Sequence, residues 1–399
     1  MGKTILWGVK YVYAVAGRKK KKDRRRTPKS IYVACTAFVA AAGILTAAFG
    51  GGYLGNIALV SAGTLLPEGG EALLQSTPEA TDADTAPTGE AVQAQAPAQE
   101  TDATDEPAAE ALNYTPDDIQ ALMNAEQAAI DALPVTGKID EQTYTVKNAT
   151  HVSGSVWAQN KTHEHDLDLD KVLAEPVDLT ITDKSKPHIL VFHTHTTESY
   201  MLLDRETYSD AYITRSNDPS RNMVRVGDEI CDQLEKAGFA VIHDTNIYDS
   251  TYSGAYYRSE DQIEKYMEQY PEIQVILDIH RDAIKQSDGT MVAPTATIDG
   301  KKAAQIMIIS GCQEGDITDF PDWEYNLRFA VQLQKYCQEM FPGLVRPLFF
   351  CAREYNMHKS RCSLLIEMGS DANTLDEAAY SGRLLGKALA ALLENYVVK

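Results

Sequence analysis

Three short apolar segments of this 399-residue chain run directly into histidine or glutamate. The segment ILVF is followed by HTHTTE, which contains His193, His195 and Glu198; VILDI is followed by His280; LLI is followed by Glu367. Two imidazoles and one carboxylate bind zinc well and leave a fourth position for water, whose pKa zinc lowers to about 7. A neighbouring carboxylate can then move protons between that water, the intermediate and a leaving amine. These residues therefore predict a hydrolytic zinc site.

The apolar segments belong to a pattern of strands that alternate with helices from about Pro187 onward. Apolar runs predict strands over residues 189–192, 239–243, 273–279, 305–310 and 364–367, and helical spacing predicts helices over 223–234, 259–270, 323–340 and 375–396. Such alternation predicts an α/β domain with a mostly parallel sheet flanked by helices. Because ligands bind at the carboxyl ends of strands in open sheets of this kind, the three polar strand ends are expected to share one cleft.

The N-terminal part of the chain predicts a membrane anchor. Residues 1–29 are rich in Lys and Arg, with Asp23 as the only acid, and the apolar run over 31–49 contains no charge. A helix of about 20 apolar residues spans a bilayer core, and a basic flank stays in the cytoplasm. We therefore predict a cytoplasmic segment over 1–29 and one transmembrane anchor over 30–52, with the catalytic domain outside the cell. A cleaved signal peptide is the alternative, and it exports the same part of the chain.

Composition divides the rest of the chain. Residues 53–112 are rich in Ala, Pro, Thr and acids and contain few large apolar residues, which predicts a disordered acidic linker. We predict an accessory helix and extension over 113–186, with the helix over 114–133, and a catalytic domain over 187–399. The formal net charge of −20 combines a basic N-terminal block with an acidic remainder, and the part from Ala111 onward is acidic, so we predict no nucleic-acid partner. Of the six cysteines, all but Cys35 follow the predicted anchor, without CxxC spacing, which favours buried thiols over a disulfide framework.

Two further stretches contain histidines that could bind a metal. His163 and His165 lie in the acid-rich stretch KTHEHDLDLDK with no strand before it, which favours a solvated loop. His358 lies in REYNMHKSRC, shortly before Glu367, and is a candidate for a position along the cleft.

Several long stretches resemble the stage II sporulation protein P family. They are ILVFHTHTTESY, NMVRVGDEICDQLEKAGF, ILDIHRDA and LLIEMGSDANTLDEAAYSGRLLGKALA, and the resemblance covers about residues 187–393. It implies a zinc-dependent N-acetylmuramoyl-L-alanine amidase that cuts between muramic acid and the stem peptide, with endopeptidase activity on cross-links, in septal wall thinning and engulfment during sporulation. It also implies three partners: peptidoglycan, a lytic transglycosylase like stage II sporulation protein D, and a multispan membrane protein.

The same domain is similar to the zinc amidases of bacterial cell separation, and this similarity implies roles for individual residues. His195 and His280 fill the positions of two zinc ligands, and Glu367 fills that of the catalytic acid/base. In those amidases the third ligand is a glutamate that opens the first helix, whereas the matching stretch here, PSRNMVRVG, contains none. Glu198 is the expected replacement, and Glu206 and Asp218 are weaker candidates.

Four neighbouring residues are candidates for substrate binding or for support of the metal ligands. On an ideal strand His193 shares a face with His195, which makes it an alternative ligand or a substrate contact. Arg281 is either a clamp for a stem-peptide carboxylate or one half of a local ion pair. Asp282 and Asp278 are expected to support the ligands, and Asp278 shares a face with His280.

Two other functions fit the same residues. A zinc carboxypeptidase-like peptidase of wall stem peptides also uses His-x-x-Glu, a distant His and a late Glu. A tethered wall-binding scaffold would keep the fold without catalysis.

Overall fold

The computed structural model of the chain describes residues 111–398. The predicted cytoplasmic segment, the predicted anchor and nearly all of the predicted linker lie outside the described residues. Among residues 111–398, no helix combines the length and the apolar character needed to cross a membrane.

Twelve strands and six helices make up the described part of the chain. The strands are β1 (Gly137–Gln142), β2 (His151–Ser153), β3 (Val156–Asn160), β4 (Ile189–Phe192), β5 (Thr207–Tyr208), β6 (Val241–His243), β7 (Val275–Asp282), β8 (Met291–Ile298), β9 (Lys301–Ala304), β10 (Ile306–Gly311), β11 (Leu348–Cys351) and β12 (Cys362–Ser370). The helices are α1 (Asp117–Asp131), α2 (Leu169–Ala174), α3 (Met223–Lys236), α4 (Ala255–Gln269), α5 (Trp323–Met340) and α6 (Leu375–Leu393). The α/β class predicted from the sequence is confirmed.

Eight strands form one large sheet in the order β2-β3-β11-β10-β12-β7-β4-β6. The strands β12, β7, β4 and β6 pair in parallel, and so do β3, β11 and β10. The two parallel blocks meet where β10 pairs antiparallel with β12. As a result, the strands of the two blocks run in opposite directions, and their carboxyl ends lie at opposite ends of the sheet along the strand axis.

Side-chain alternation gives this sheet two different apolar faces. On β7, Val275, Leu277 and Ile279 join the main core with residues of α3, α5 and α6. The intervening Ile276 packs instead with Phe192 and with residues of α4. Successive strand residues point to opposite faces, so this alternation fixes which helix each polar residue at a strand end will meet.

A smaller sheet of four strands, in the order β5-β1-β8-β9, lies outside the predicted pattern. Its hairpin from β8 to β9 turns at Asp299 and Gly300, which both have positive φ. Two consecutive residues with positive φ form the turn that best matches the twist of paired strands, and Asp-Gly is a preferred sequence for it. The third pairing, of β1 with β8, joins residues about 150 positions apart in the chain, for example Ile139 with Met291.

The start of the described chain is fastened to the C-terminal helix by a buried arginine. Arg383 of α6 is fully buried and donates hydrogen bonds to the carbonyl oxygens of Leu112 (2.8 Å) and Tyr114 (2.6 Å). Its guanidinium also pairs with Glu229 of α3 at 3.0 Å. Nearby, α1 is tied to α3 by an ion pair between Asp118 and Arg225. These contacts join the N-terminal segment to the same face of the sheet as α3 and α6.

Candidate metal centre

His195 and His280 lie next to each other at the carboxyl ends of β4 and β7. Their ring centroids are 5.3 Å apart with the planes nearly perpendicular, and both side chains are almost completely buried. Glu367, on β12, is the register partner of His280 in the neighbouring parallel strand. Register partners point to the same face of a sheet, so Glu367 and His280 both face α4.

Glu198 follows the turn that carries His195. Its Oε2 lies 3.5 Å from Nδ1 of His280 and accepts a hydrogen bond from the backbone N–H of Arg281 (3.3 Å), and Arg215 lies 3.6 Å from its Oε1. Burial opposes ionisation of this carboxyl, but the hydrogen bond with His280 and the charges of Arg281 and both histidines hold its pKa well below the usual range. Glu198 is therefore a carboxylate beside both imidazoles.

Asp278 supports His280 from the opposite side of the ring. Its Oδ1 lies 2.8 Å from Nε2 of His280, and its two oxygens also accept hydrogen bonds from the backbone N–H and the hydroxyl of Thr194 (2.8 and 2.7 Å). Burial lowers the pKa of His280, but the charges and hydrogen bonds of Asp278 and Glu198 outweigh it, and the pKa is raised well above its ordinary value. With Nε2–H donated to Asp278, Nδ1 is the nitrogen that faces Glu198.

His195 is positioned by an aspartate and two tyrosines that the sequence did not single out. Asp249 lies 3.9 Å from Nδ1 of His195, and it accepts hydrogen bonds from Thr197 and pairs with Arg215 at 3.0 Å. The ring of Tyr252 stacks flat on His195, with centroids 4.6 Å apart.

Tyr256 joins this aromatic layer and extends it away from the sheet. Its ring meets His195 edge-on at 5.6 Å and stacks over His280 at 6.3 Å. Tyr355 stacks on Tyr256 at 5.3 Å, and both Tyr355 and the following Asn356 have positive φ. Asn356 donates hydrogen bonds to the Tyr256 carbonyl and to Ser259, which fixes this loop against α4. The run YDSTYSGAYY, residues 248–257, is the sequence signal that could have revealed two of these rings.

His193 does not share a face with His195, contrary to the ideal-strand expectation. Strand β4 ends at Phe192 and residues 194–197 form turns, so the alternation that would align the two histidines is broken. The Nδ1–H of His193 donates to the Ile279 carbonyl (3.0 Å), and its Nε2 lies 3.0 Å from Nε2 of His243. Burial and the neighbouring His243 lower the pKa of His193 well below its ordinary value. His193 therefore lies on the α3 face as a neutral hydrogen-bonded ring.

Arg281 and Asp282 lie beside the centre, but not as an ion pair. Arg281 is 2% exposed, and its guanidinium donates to the carbonyl oxygens of Ser199 (3.0 Å) and Thr214 (2.9 Å). The Asp282 carboxylate pairs with Arg346 at 2.9 Å instead. Such burial does not fit a clamp for a substrate carboxylate, because the guanidinium is committed to backbone carbonyls that position the segment carrying Glu198.

The weaker candidates lie away from this cluster. Glu206 and Asp218 are exposed, and the Asp218 carboxylate accepts hydrogen bonds from Ser220. His358 lies 2.7 Å from Glu354 and 3.4 Å from Glu260 on α4. In the described residues, the polar cluster at the carboxyl ends of β4, β7 and β12 consists of His195, Glu198, Asp278, His280 and Glu367.

The chain is therefore an α/β protein with buried imidazoles and carboxylates at the carboxyl ends of parallel strands. The family model of stage II sporulation protein P (SpoIIP) matches residues 76–390, and the chain belongs to that family. Stage II sporulation protein P of Bacillus subtilis (strain 168) is 29% identical over 221 residues, which cover 52% of this chain. The match spans about half the length of that relative, 51%.

Solved structures of amidases also resemble the chain. The N-acetylmuramoyl-L-alanine amidase AmiC2 of Nostoc punctiforme matches 53% of this chain and 98% of its own, at 12% identity and a TM-score of 0.32. The CwlD amidase of Clostridioides difficile, solved in complex with the GerS lipoprotein, matches 52% of this chain and 98% of its own, at 12% identity and a TM-score of 0.34.

Proposed function

We propose that this protein is a zinc-dependent peptidoglycan hydrolase of the N-acetylmuramoyl-L-alanine amidase type, acting in wall thinning during sporulation. The observation that carries the proposal is the convergence of His195, Glu198 and His280 in one buried cluster, with Glu367 beside it in register. Membership of the stage II sporulation protein P family supports the biological setting. An exported catalytic domain behind a single-pass membrane anchor remains part of the proposal, as do the transglycosylase and multispan membrane partners.

The donor types of this cluster are those of a catalytic zinc site. Two imidazoles and a carboxylate are a common protein ligand set for zinc that keeps one position open, and ligating histidines normally donate their second N–H to a carboxylate or carbonyl. His280 meets this condition through Asp278. We assign the metal to His195, Glu198 and His280, where it would supply a water of lowered pKa and polarise the scissile carbonyl.

The remaining chemistry belongs to side chains of the protein. Glu367 takes the proton from the attacking water and passes it to the leaving amine of the stem peptide, which is general acid–base catalysis by one carboxyl group. Asp278 and Asp249 orient the two imidazoles. Tyr252, Tyr256 and Tyr355 are half-buried and cover the cluster, so they limit the access of bulk water to it.

Digestion of purified peptidoglycan by the full-length chain tests this proposal. Mass spectrometry of the products should show whole stem peptides released from intact glycan, and a chelator should abolish the release. Glu367→Gln should lower the rate by about 100-fold or more, in line with the usual contribution of a general acid/base. Glu268→Gln, an exposed residue of α4, is the matched control and should keep the wild-type rate.

Other product patterns would reject the amidase assignment. Shortened stems that stay attached to the glycan identify a carboxypeptidase. Background activity in both the wild type and Glu367→Gln identifies a non-catalytic scaffold, whereas equal rates well above background reject Glu367 as the acid/base.

A further inference from the structure

The large sheet has a second set of carboxyl strand ends, at the end of the sheet opposite the candidate catalytic centre. There β3, β11 and β10 lie side by side in parallel and end at Asn160, Cys351 and Gly311. Three residues from the loops that follow β3 and β10 meet at these carboxyl ends: His165, Cys312 and Glu314. One potential ligand atom of each lies within 4.8 Å of the other two.

We propose that His165, Cys312 and Glu314 form a second zinc site with three protein ligands, separate from the candidate catalytic centre. Nitrogen, thiolate sulfur and carboxylate oxygen are the three donor types that zinc accepts in proteins. A tetrahedral zinc with bonds of about 2.0–2.3 Å holds its donors roughly 3.3–3.8 Å apart. The observed donors therefore need only small side-chain rotations to share one ion.

A hydrogen bond to a backbone carbonyl fixes the orientation of the His165 ring. Its Nε2 lies 2.8 Å from the backbone carbonyl oxygen of Gln313. A carbonyl only accepts, so Nε2 carries the hydrogen of this bond, and Nδ1 is the ring nitrogen that remains for a metal. Metal-binding histidines are commonly fixed in this way by a backbone carbonyl. The ring also packs against Trp323, with centroids 4.7 Å apart, and this contact limits its rotation.

Glu314 is held rigidly in the same loop cluster. Its two carboxylate oxygens accept hydrogen bonds from the backbone N–H groups of His163 (2.9 and 3.1 Å) and Glu164 (3.3 Å). Each carboxylate oxygen has more than one lone pair, so these contacts are compatible with a metal bond. They also fix the position of the loop around His163, which is exposed and has no regular secondary structure, as the sequence predicted.

The charges of the proposed ligands suit a divalent cation. Cys312 is completely buried, and Glu314 is also buried. A thiolate and a carboxylate together carry two negative charges, which one Zn²⁺ neutralises.

Cobalt substitution tests the site, because only a thiolate ligand gives cobalt a strong near-ultraviolet charge-transfer band. The predicted catalytic centre contains no cysteine, so the band reports the second site alone. The full-length chain, reduced and titrated with Co²⁺, should show the band, and so should His280→Ala. Cys312→Ser should lose it, whereas Cys337→Ser, which removes another buried thiol, should keep it.

Variants of the other two ligands make the test independent of folding defects at Cys312. His165→Asn and Glu314→Gln should each keep the band and weaken cobalt affinity at least tenfold. Absence of the band in the wild type, its persistence in Cys312→Ser, or a disulfide between Cys312 and Cys351 in the purified protein would overturn the proposal. Loss of amidase activity without loss of the band would concern the catalytic proposal only.

Discussion

At the scale of single residues, the orientation of His280 depends on Asp278. The carboxylate faces one ring nitrogen at 2.8 Å and is itself held by two hydrogen bonds from Thr194. Glu198 faces the other nitrogen at 3.5 Å. Asp278 thus decides which nitrogen is available to a metal, and it adds negative charge that raises the affinity of the ring for a cation.

Asp278→Asn should therefore weaken zinc binding while leaving the fold in place. The amide keeps the shape and one acceptor oxygen but removes the charge, and the loss of such a supporting carboxylate typically costs 10–100-fold in metal affinity. Competition titration with a chelator measures the change, with Asp261→Asn on the exposed side of α4 as the control. Unchanged zinc affinity would show that Asp278 serves only the packing of Thr194.

The residues of the centre were partly predictable. His195, His280 and Glu367 each follow an apolar run closely in the sequence, and that placement is a local signal. Asp249 had no such signal, because it lies in an irregular segment that tertiary contacts bring to His195. The face of His193 was assigned from period-two alternation, which fails once the strand ends at Phe192.

At the scale of secondary-structure elements, the start of α6 contains a buried acid. Thr374 caps this helix by accepting from the N–H of Glu377, and the Glu377 carboxylate accepts from the N–H of Thr374 and from Asn373. Burial raises the pKa of Glu377 to about 7, although these hydrogen bonds and Lys302 act in the opposite direction. In the unfolded chain the pKa of this carboxyl returns to its ordinary value of about 4.5.

This pair of pKa values predicts a pH-dependent stability. Between about 4.5 and about 7 the folded protein binds a proton that the unfolded chain releases, so the free energy of unfolding should fall as pH rises across that window. The change should amount to about 2–3 kcal/mol. Urea unfolding at pH 5 and pH 7.5 measures it, and Glu377→Gln should reduce the difference. If the free energy of unfolding depends on pH equally in the wild type and in Glu377→Gln, groups other than Glu377 cause the dependence.

Most of the large sheet was visible in the sequence, and the small sheet was not. Strands β4, β7, β10 and β12 are apolar because both faces are covered. In contrast, β1 has the sequence GKIDEQ and alternates only partly, and its pairing with β8 is set by tertiary structure. The Asp299-Gly300 turn was a local hairpin signal that could have identified β8 and β9.

At the scale of the whole molecule, Arg383 connects the first described residues to the C-terminal helix. It has no exposed surface, and it joins the carbonyls of Leu112 and Tyr114 to Glu229 on α3. The antiparallel pairing of β10 with β12 is a second feature of the whole molecule, because it places two sets of carboxyl strand ends at opposite ends of the sheet. Neither feature has a local sequence signal, since each depends on segments far apart in the chain.

Arg383→Gln should release the segment around Leu112 and Tyr114. Breaking a buried ion pair from one side typically costs about 3–5 kcal/mol. Here Arg225 also pairs with Glu229, at 2.9 Å, so we expect a loss at the lower end of that range. Hydrogen exchange of residues 112–131 should accelerate relative to the wild type, while Lys387→Gln, at an exposed position of α6, should behave as the wild type. Unaltered exchange would mean that α1 alone retains the segment.

The attachment at Arg383 also has a mechanical consequence. Tension applied along the chain ahead of Leu112 would be transmitted through two hydrogen bonds into α6 and, through Glu229, into α3. Both helices lie on the face of the sheet opposite α4. The force would therefore act on that face and not on the face that carries His195, His280 and Glu367. Under tension the contacts of Arg383 would then break first, while the geometry of the candidate metal centre stays unchanged.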